Sequence, residues 1–356
     1  MVEWKKLGEV ANITIGEFVH KDKQSPDALY PVYNGGVTYT GFYDNYNNSA
    51  NKIVISARGA TAGFVNRVFC KYWAGNSCYS IDVDSSISSW TFVYYYLKNY
   101  QSKLISDQQK GGGIPSISKK QVYDLLIPLP SLSEQERIVG ILDTFTSSIE
   151  NLKAQISLRR KQYEHYRDKL LDLEGKPGVE MKDVASLVKD RITANELNIQ
   201  NYTSVENLLK DKAGRKDAEN VPAEGNWIKY KKGDVLIGNI RPYLRKIWLS
   251  DREGGTNGDV IVVRPSDKLQ SEYMFYCLAS ERFFLYYNQA LKDGKMPRGE
   301  KSRVLSFIVP LPSLQEQSRI VSIFDEFEAS IKNLEAQLKA REKQYEYYRN
   351  KLLTFD

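Results

Sequence analysis

Residues Pro128–Leu171 read PLPSLSEQERIVGILDTFTSSIENLKAQISLRRKQYEHYRDKLL, and 182 positions later Pro310–Leu353 read PLPSLQEQSRIVSIFDEFEASIKNLEAQLKAREKQYEYYRNKLL. Two-thirds of the aligned positions are identical, far more than shared helical composition produces, so the chain is a tandem repeat. In the first copy apolar or aromatic residues alternate at spacings of four and three: Ile138, Leu142, Phe145, Ile149, Leu152, Ile156, then Tyr163, Tyr166 and Leu170. The second copy repeats the stripe with Ile320, Phe324, Phe327, Ile331, Leu334, Leu338, Tyr345, Tyr348 and Leu352. This is a heptad seam, and a seam of this kind packs against another helix instead of facing water. Its one polar position is Arg159, matched by Arg341. Either it fixes register inside the seam or it snorkels to the surface.

The helix starts are marked alike. Pro128 and Pro130 keep the helix from beginning earlier, Ser131 or Ser133 caps it, and Glu134 or Glu136 three residues on completes a capping-box pattern that Ser313 and Glu316 repeat. About 40 residues at ~1.5 Å each make a rod of roughly 60 Å. Two such rods separated by a folded block pair most simply as an antiparallel coiled coil. The expected fold class is α+β: two globular blocks, residues 1–127 and 176–308, separated by two long helical segments, 128–175 and 309–356, in a pseudo-twofold tandem repeat.

The globular blocks share an outline despite their divergence. Each opens with a short element, EWKKLGEVANI or VEMKDVASLVK, and each later carries a strand-like run ending in a glycine or basic turn, NKIVISARGATAGFV or GDVLIGNIRPYLRKIW. The alternating runs NSCYSIDVD and NGDVIVVRP read as further strands. Aromatic helical stretches follow, SSWTFVYYYLKNY and SEYMFYCLASERFF, and then a Gly/Pro loop, KGGGIPSISKKQV or KDGKMPRGEKSRV.

The net charge of +6 is unevenly placed. Lys+Arg minus Asp+Glu is 13 − 10 = +3 over residues 1–127, 7 − 8 = −1 over 128–175, 23 − 18 = +5 over 176–308 and 7 − 8 = −1 over 309–356. The positive excess lies in the two divergent blocks, where a polyanion such as nucleic acid is expected to be met. The candidate contacts in the first block are Arg58, Arg67, Lys110 and the run Tyr39, Tyr43, Asn45, Tyr46 and Asn47. In the second they are Arg241, Tyr243, Arg245, Lys295, Arg298 and Lys301, with Arg215 and Lys216 behind. Arg, Lys, Asn, Gln and Tyr on loops supply hydrogen bonds to base edges and phosphates. Any one of them taken alone reads first as a solvated charge or a core tyrosine; it is the set, coinciding with local positive charge, that favours DNA contact.

Other chemistries have little support. Cys70, Cys78 and Cys277 form no Cys-x-x-Cys pair, and His20 and His165 are the only histidines, so no metal site is expected. Lys110 with Gly111, Gly112 and Gly113 lacks the Gly-Lys-Ser/Thr of a phosphate loop. No stretch approaches the ~20 apolar residues of a membrane span, and MVEWKKLGEV lacks a signal-peptide core, so a cytoplasmic protein without membrane contact is expected.

The PLPSL-x-EQ-x-RIV helix start, the helix end YRDKLL or YRNKLL, the duplicated order and the Gly-x-x-Pro loop before each helix resemble the specificity subunit of type I restriction-modification systems over essentially the full length. That resemblance implies a non-catalytic DNA reader. Each target recognition domain would bind one half of an asymmetric, bipartite double-stranded DNA site through the major groove, and the helices would set the spacer. The helices would also dock two methyltransferase subunits, which use S-adenosylmethionine on adenine N6. Through the complex, ATP- and Mg-dependent restriction and translocation subunits would join, this chain itself binding no cofactor. The sequence has neither an Asn-Pro-Pro-aromatic motif nor a Walker lysine loop. Two alternatives stand beside this reading: a standalone nuclease or methyltransferase with duplicated halves, and a coiled-coil scaffold that never touches DNA.

Overall fold

The computed structural model describes residues 2–109, 113–174, 177–289, 291 and 296–355, without the side chains of residues 108 and 109. One unit joins Met1–Lys153 to Ala336–Asp356, and the other is Ala154–Glu335. These units cut across the four-part sequence division, because each globular block is compact together with the start of one long helix and the end of the other.

The first unit contains β1 (Glu3–Lys6), α1 (Leu7–Val10), β2 (Ala11–Ile15), β3 (Tyr30–Tyr33), β4 (Gly41–Tyr43), β5 (Lys52–Ser56), β6 (Val65–Val68), β7 (Trp73–Ala74), β8 (Cys78–Val83), α2 (Trp90–Gln109), α3 (Lys119–Tyr123), β9 (Leu126–Leu129) and the beginning of α4 (Leu132–Leu170). Its main sheet has the order β2-β8-β5-β6, all antiparallel, and a smaller sheet has the order β4-β3-β7. The apolar run at β5 follows from its central place. Successive strand side chains point to opposite faces, so Ile53 and Ile55 pack with Phe92, Val93 and Leu97 of α2, while Val54 packs with Val68, Tyr72 and Cys78 on the other face.

The second unit contains the end of α4, then β10 (Gly178–Glu180), β11 (Ala185–Leu187), β12 (Arg191–Thr193), β13 (Tyr202–Thr203), β14 (Asn226–Tyr230), β15 (Val235–Gly238), β16 (Ile247–Leu249), β17 (Gly254–Thr256), β18 (Val260–Pro265), α5 (Ser271–Leu278), α6 (Glu281–Asn288), α7 (Lys301–Leu305), β19 (Ile308–Pro310) and the beginning of α8 (Leu314–Leu352). The plan repeats: a main antiparallel sheet β11-β18-β15-β16, a smaller sheet β12-β14-β17-β13, and the β10–β19 pair in the role of β1–β9. Val235 and Ile237 face the helices, and Leu236 faces Tyr230, Trp248 and Val262. One helix of the first unit becomes two here because Ser280 caps α6, its Oγ accepting from the Phe283 N–H at 3.1 Å.

The seam is built twice in one register. In the first unit Phe145 stacks on Tyr348, centroids 5.4 Å apart, and meets Tyr345 at 6.4 Å. In the second unit Phe327 meets Tyr166 at 5.7 Å and Tyr163 at 6.0 Å. Phe327, Tyr163 and Tyr166 stand where Phe145, Tyr345 and Tyr348 do in the other copy, so in each unit the start of one helix lies antiparallel to the end of the other. Ion pairs Lys153–Glu342 (3.3 Å) and Arg160–Glu335 (2.6 Å) flank the seam. Arg159 lies over Phe327 at 5.7 Å and Arg341 over Phe145 at 5.6 Å, both half-buried. The polar position therefore covers the opposite helix's ring by cation–π contact.

Cover is incomplete. Ile138, Leu142, Ile156, Ile320 and Phe324 are buried, Tyr166 and Tyr348 are exposed, and Phe145, Ile149, Leu152, Tyr163, Leu170, Phe327, Ile331, Leu334, Leu338, Tyr345 and Leu352 are half-buried. Two helices leave part of a wide stripe in solvent.

Polar side chains tie each long helix's start to α2 in the first unit and to α5 in the second, and to the segments just before them. Gln135, fully buried, accepts from Ser88 Oγ and the Ser89 N–H, both at 2.9 Å, and donates to the Pro130 carbonyl at 3.0 Å. Gln317, also fully buried, accepts from the Gln270 N–H at 2.9 Å and donates to the Lys268 and Pro312 carbonyls at 3.0 Å. Two turns later Asp143 accepts from the Tyr95 hydroxyl at 2.5 Å, as Asp325 does from Tyr276 at 2.7 Å. Ser131 and Ser313 are the caps, accepting from the Glu134 and Glu316 N–H groups at 3.4 and 3.3 Å. The capping-box glutamates are engaged by Arg137 and Arg319, in forks of 2.7–2.8 Å.

Replacing Gln135 with alanine strands the buried Ser88 hydroxyl and the half-buried Ser89 N–H, so it should lower stability by about 2–3 kcal/mol. Glu134→Ala on the exposed side should stay within about 0.5 kcal/mol. Urea unfolding of both variants checks this; equal effects would refute the tether.

Lys98 gives a pH signature. Its Nζ lies 3.9 Å over the Phe64 ring and donates to the Val65 carbonyl and Gln101 Oε1 at 2.8 Å. Burial, with Arg349 adding to it, pulls its ammonium down to about 8 from the ordinary 10.5. Below pH 8 the folded chain holds a charge it disfavours. Between about 8 and 10.5 the folded state gives up that proton while the unfolded state keeps it, so this group's contribution rises with pH. Thermal melts of wild type and Lys98→Met should therefore show a difference shifting in favour of wild type from pH 7 to 10, and a constant difference would refute the assignment.

Candidate nucleic-acid interface

The strand-to-turn junctions and the Gly/Pro loops are held together by backbone hydrogen bonds in the same way in both units. In the first, Arg58 bridges to Ser116, the Gly59 N–H donates to the Pro115 carbonyl at 2.9 Å, and the Ile117 N–H donates to the Ala57 carbonyl at 2.9 Å. In the second, Ile240 bridges to Arg298, the Arg241 N–H donates to the Pro297 carbonyl at 2.8 Å, and the Gly299 N–H donates to the Asn239 carbonyl at 3.3 Å. All six pairs of positions differ by the repeat distance: 57 and 239, 58 and 240, 59 and 241, 115 and 297, 116 and 298, 117 and 299. The clamp is backbone, so side chains on it can differ without dismantling it.

In the second unit the clamp gathers a cationic cluster. Arg241 and Arg245 both have left-handed backbone, φ +50° and +52°, and bracket a tight turn at Pro242–Leu244 whose tip, Tyr243, is exposed. Left-handed non-glycine residues cost free energy, and such strain concentrates at functional sites. Arg298 pairs with Asp259 at 3.1 Å, and Lys301 Nζ donates to the Gly258 carbonyl at 3.0 Å, so both sit on the turn before β18. Arg245 is an anchor: its Nη1 reaches Glu281 at 2.5 Å, and its carbonyl accepts from the Lys212 N–H at 3.0 Å. Lys212 donates to the Ala279 carbonyl at 3.0 Å, and burial lowers its pKa. The Arg215 side chain is only 5% exposed, paired with Asp217 at 3.2 Å and lying 5.3 Å over Trp248, so it belongs to the core. Lys216 is outside, paired with Glu219 at 2.9 Å. Lys295 lies outside the described residues.

The first unit gathers aromatic and amide groups. Tyr43 packs edge-on against Trp73 at 5.1 Å, and Tyr39 lies 4.9 Å from Phe42. Tyr46 meets Tyr30 at 5.0 Å and carries Lys71, whose Nζ is 3.1 Å from its hydroxyl. Asn45 is exposed. Asn47 is structural, bracketing Ala74 with bonds of 2.9 Å to its carbonyl and 2.7 Å from its N–H. Arg58 is exposed on the clamp, and its carbonyl borders Gly35, in the loop leading to Tyr39. Arg67 points to the long helix, pairing with Asp143 at 3.2 Å between Phe69 and Tyr94, each ring 5.0 Å from its guanidinium. Lys110 lies outside the described residues.

Sequence reasoning missed Gln135, Gln317, Asp143, Asp325 and Glu281. The first four carried a usable signal, since each is a polar residue off the seam that is identical in both helix copies. Glu281 carried none. Among the described residues no group of His, Cys, Asp and Glu is placed to hold a metal ion, and no helix is long and apolar enough to cross a membrane.

Comparison with known proteins agrees with this geometry. The chain is 26% identical to a type I restriction enzyme specificity subunit of Escherichia coli, over 99% of this chain and 94% of that protein. It is 25% identical to a putative type I restriction enzyme specificity subunit of Haemophilus influenzae, over 99% and 96%. In fold it is similar to the crystal structure of a type I restriction-modification S subunit from M. genitalium, with a TM-score of 0.67 at 19% identity over 100% of this chain and 97% of that one. The family model for the type I restriction modification DNA specificity domain matches twice, at residues 1–159 and 179–341. Both units carry that domain, and the chain belongs to the type I restriction-modification DNA specificity family.

Proposed function

We propose that this chain is the non-catalytic DNA-reading subunit of a type I complex, each unit contacting one half of an asymmetric bipartite duplex site in the major groove. The observation that carries this is the repeated backbone clamp, which presents different exposed side chains in each unit: Arg58 and Ser116 in one, Arg241 and Arg298 in the other. A fixed backbone with variable tips suits a reader whose two halves recognise unlike sequences. Residues 1–127 and 176–308 are the proposed recognition domains. Residues 128–175 and 309–356 set the spacer and dock two modification subunits, for which the exposed part of the seam around Tyr166 and Tyr348 is available apolar surface. S-adenosylmethionine belongs to those partners, and ATP and Mg to the restriction subunits that join them.

Binding of the assembled complex to duplex DNA should weaken steeply with salt. Arg298→Ala and Lys301→Ala should each weaken it across sequences and lower the log–log salt slope by about 1. Arg67→Ala and Arg215→Ala should lower stability and leave the slope unchanged. Fluorescence anisotropy from 50 to 300 mM salt checks this, and a flat response would favour a scaffold.

Inserting seven residues at equivalent points of α4 and α8 should change the preferred spacer and leave both half-sites unaltered. Methylation mapping of the complex in cells reads this, and an unchanged spacer would refute the helices as the ruler.

A further inference from the structure

Ile114 and Met296 occupy the same place in the two repeats, 182 positions apart and each directly before the proline of the clamped loop. Ile114 is 83% exposed and Met296 55%, on loops whose neighbouring residues differ: Gly113, Ser116 and Ser118 in one, Arg298, Gly299 and Glu300 in the other. A large apolar side chain left in water forgoes the favourable transfer that burial would give it. A mobile loop could fold such a residue inward, but these loops are pinned one residue later by the Pro115 and Pro297 carbonyls. The proline also restricts the residue before it to extended backbone. Both side chains are thus exposed on fixed backbone next to the clamp, which carries Arg58 in one unit and Arg241 and Arg298 in the other.

We infer that Ile114 and Met296 are specificity-determining residues, one per half-site, that make apolar contact with base edges in duplex DNA. Thymine 5-methyl groups are the complementary chemistry. A protein partner would be equally content with an apolar knob, but Arg58 on the clamp beside Ile114, and Arg241 and Arg298 on the clamp beside Met296, match phosphates that flank a base edge. The inference rests on the DNA-reading function proposed above and deepens it. Tyr243 and the arginines supply polar readout and backbone contacts, and these two residues supply the apolar term that distinguishes thymine from cytosine.

The test uses the chain with its modification subunits, expressed in a methylation-free host whose genomic DNA is then sequenced for modified adenine. Wild type, Ile114→Ser and Met296→Ser are compared, with melting temperature and complex recovery measured in parallel. Both positions are exposed, so folding should be unaffected. The expected result is a bipartite wild-type motif in which Ile114→Ser relaxes or loses a T·A position in one half only, by roughly tenfold in site occupancy, and Met296→Ser does so in the other half only. Unchanged motifs and occupancies in both variants would overturn the inference while leaving the DNA-reading function standing. Loss of complex recovery with an unchanged motif would show the residues to be protein contacts and overturn it as well. If the recovered wild-type complex leaves no bipartite motif, the DNA-reading proposal itself fails, and the inference with it.

Discussion

The apolar stripe on each long helix has to be covered, and no single helix can cover its own. Because the two copies are alike along the seam, covering one with the other makes the same contact twice: Phe145 on Tyr345 and Tyr348, and Phe327 on Tyr163 and Tyr166. Each aromatic pair contributes about 0.5–1.5 kcal/mol beyond area burial. A parallel pairing would instead set Phe145 beside Phe327 and leave the tyrosines to meet each other at the far end. Register, orientation and internal repetition are thus one constraint.

From that constraint follows the way each globular block is mounted. A helix held only by its seam could rotate relative to the sheet it follows. Gln135 and Gln317 prevent this by joining the helix start to the segment before α2 in one block and before α5 in the other, and Asp143 and Asp325 add a tyrosine hydroxyl of those same helices as partner. These are side-chain bonds in buried or half-buried places, where an unmet group is costly. They are therefore held fixed, while the solvent-facing loops carry the differences.

The heptad stripe, the paired strand runs and the clamped loops were legible because each is written in local pattern or in the repeat itself. What was not legible depended on residues distant in sequence. Arg67 looked like a surface cation until Asp143, 76 positions on, claimed it, and Arg215 until Trp248 lay under it. Asn47 has the composition of a contact residue, yet both ends of its amide bind Ala74. The break between α5 and α6 hung on Ser280 alone, in a run whose aromatic pattern continues through it. Exposure of Tyr166 and Tyr348 was invisible because a heptad pattern says which residues lie on the stripe, not how many helices cover it.

The two units also divide the chemistry of contact unequally. With Arg67 turned to the long helix, the candidate contacts of the first unit are Arg58 and a set of tyrosines and amides, whereas those of the second include Arg241 and Arg298 on the clamp and Lys301 on the turn before β18. On the proposed reading, counterion release falls mainly to the second unit, and shape and stacking to the first. The strained turn at Arg241–Arg245 has its place in this division. A cationic site binds any duplex, so the unit with more charge needs the more rigid tip if it is to refuse the wrong sequence, and two left-handed arginines around Pro242, anchored by Glu281, supply that rigidity.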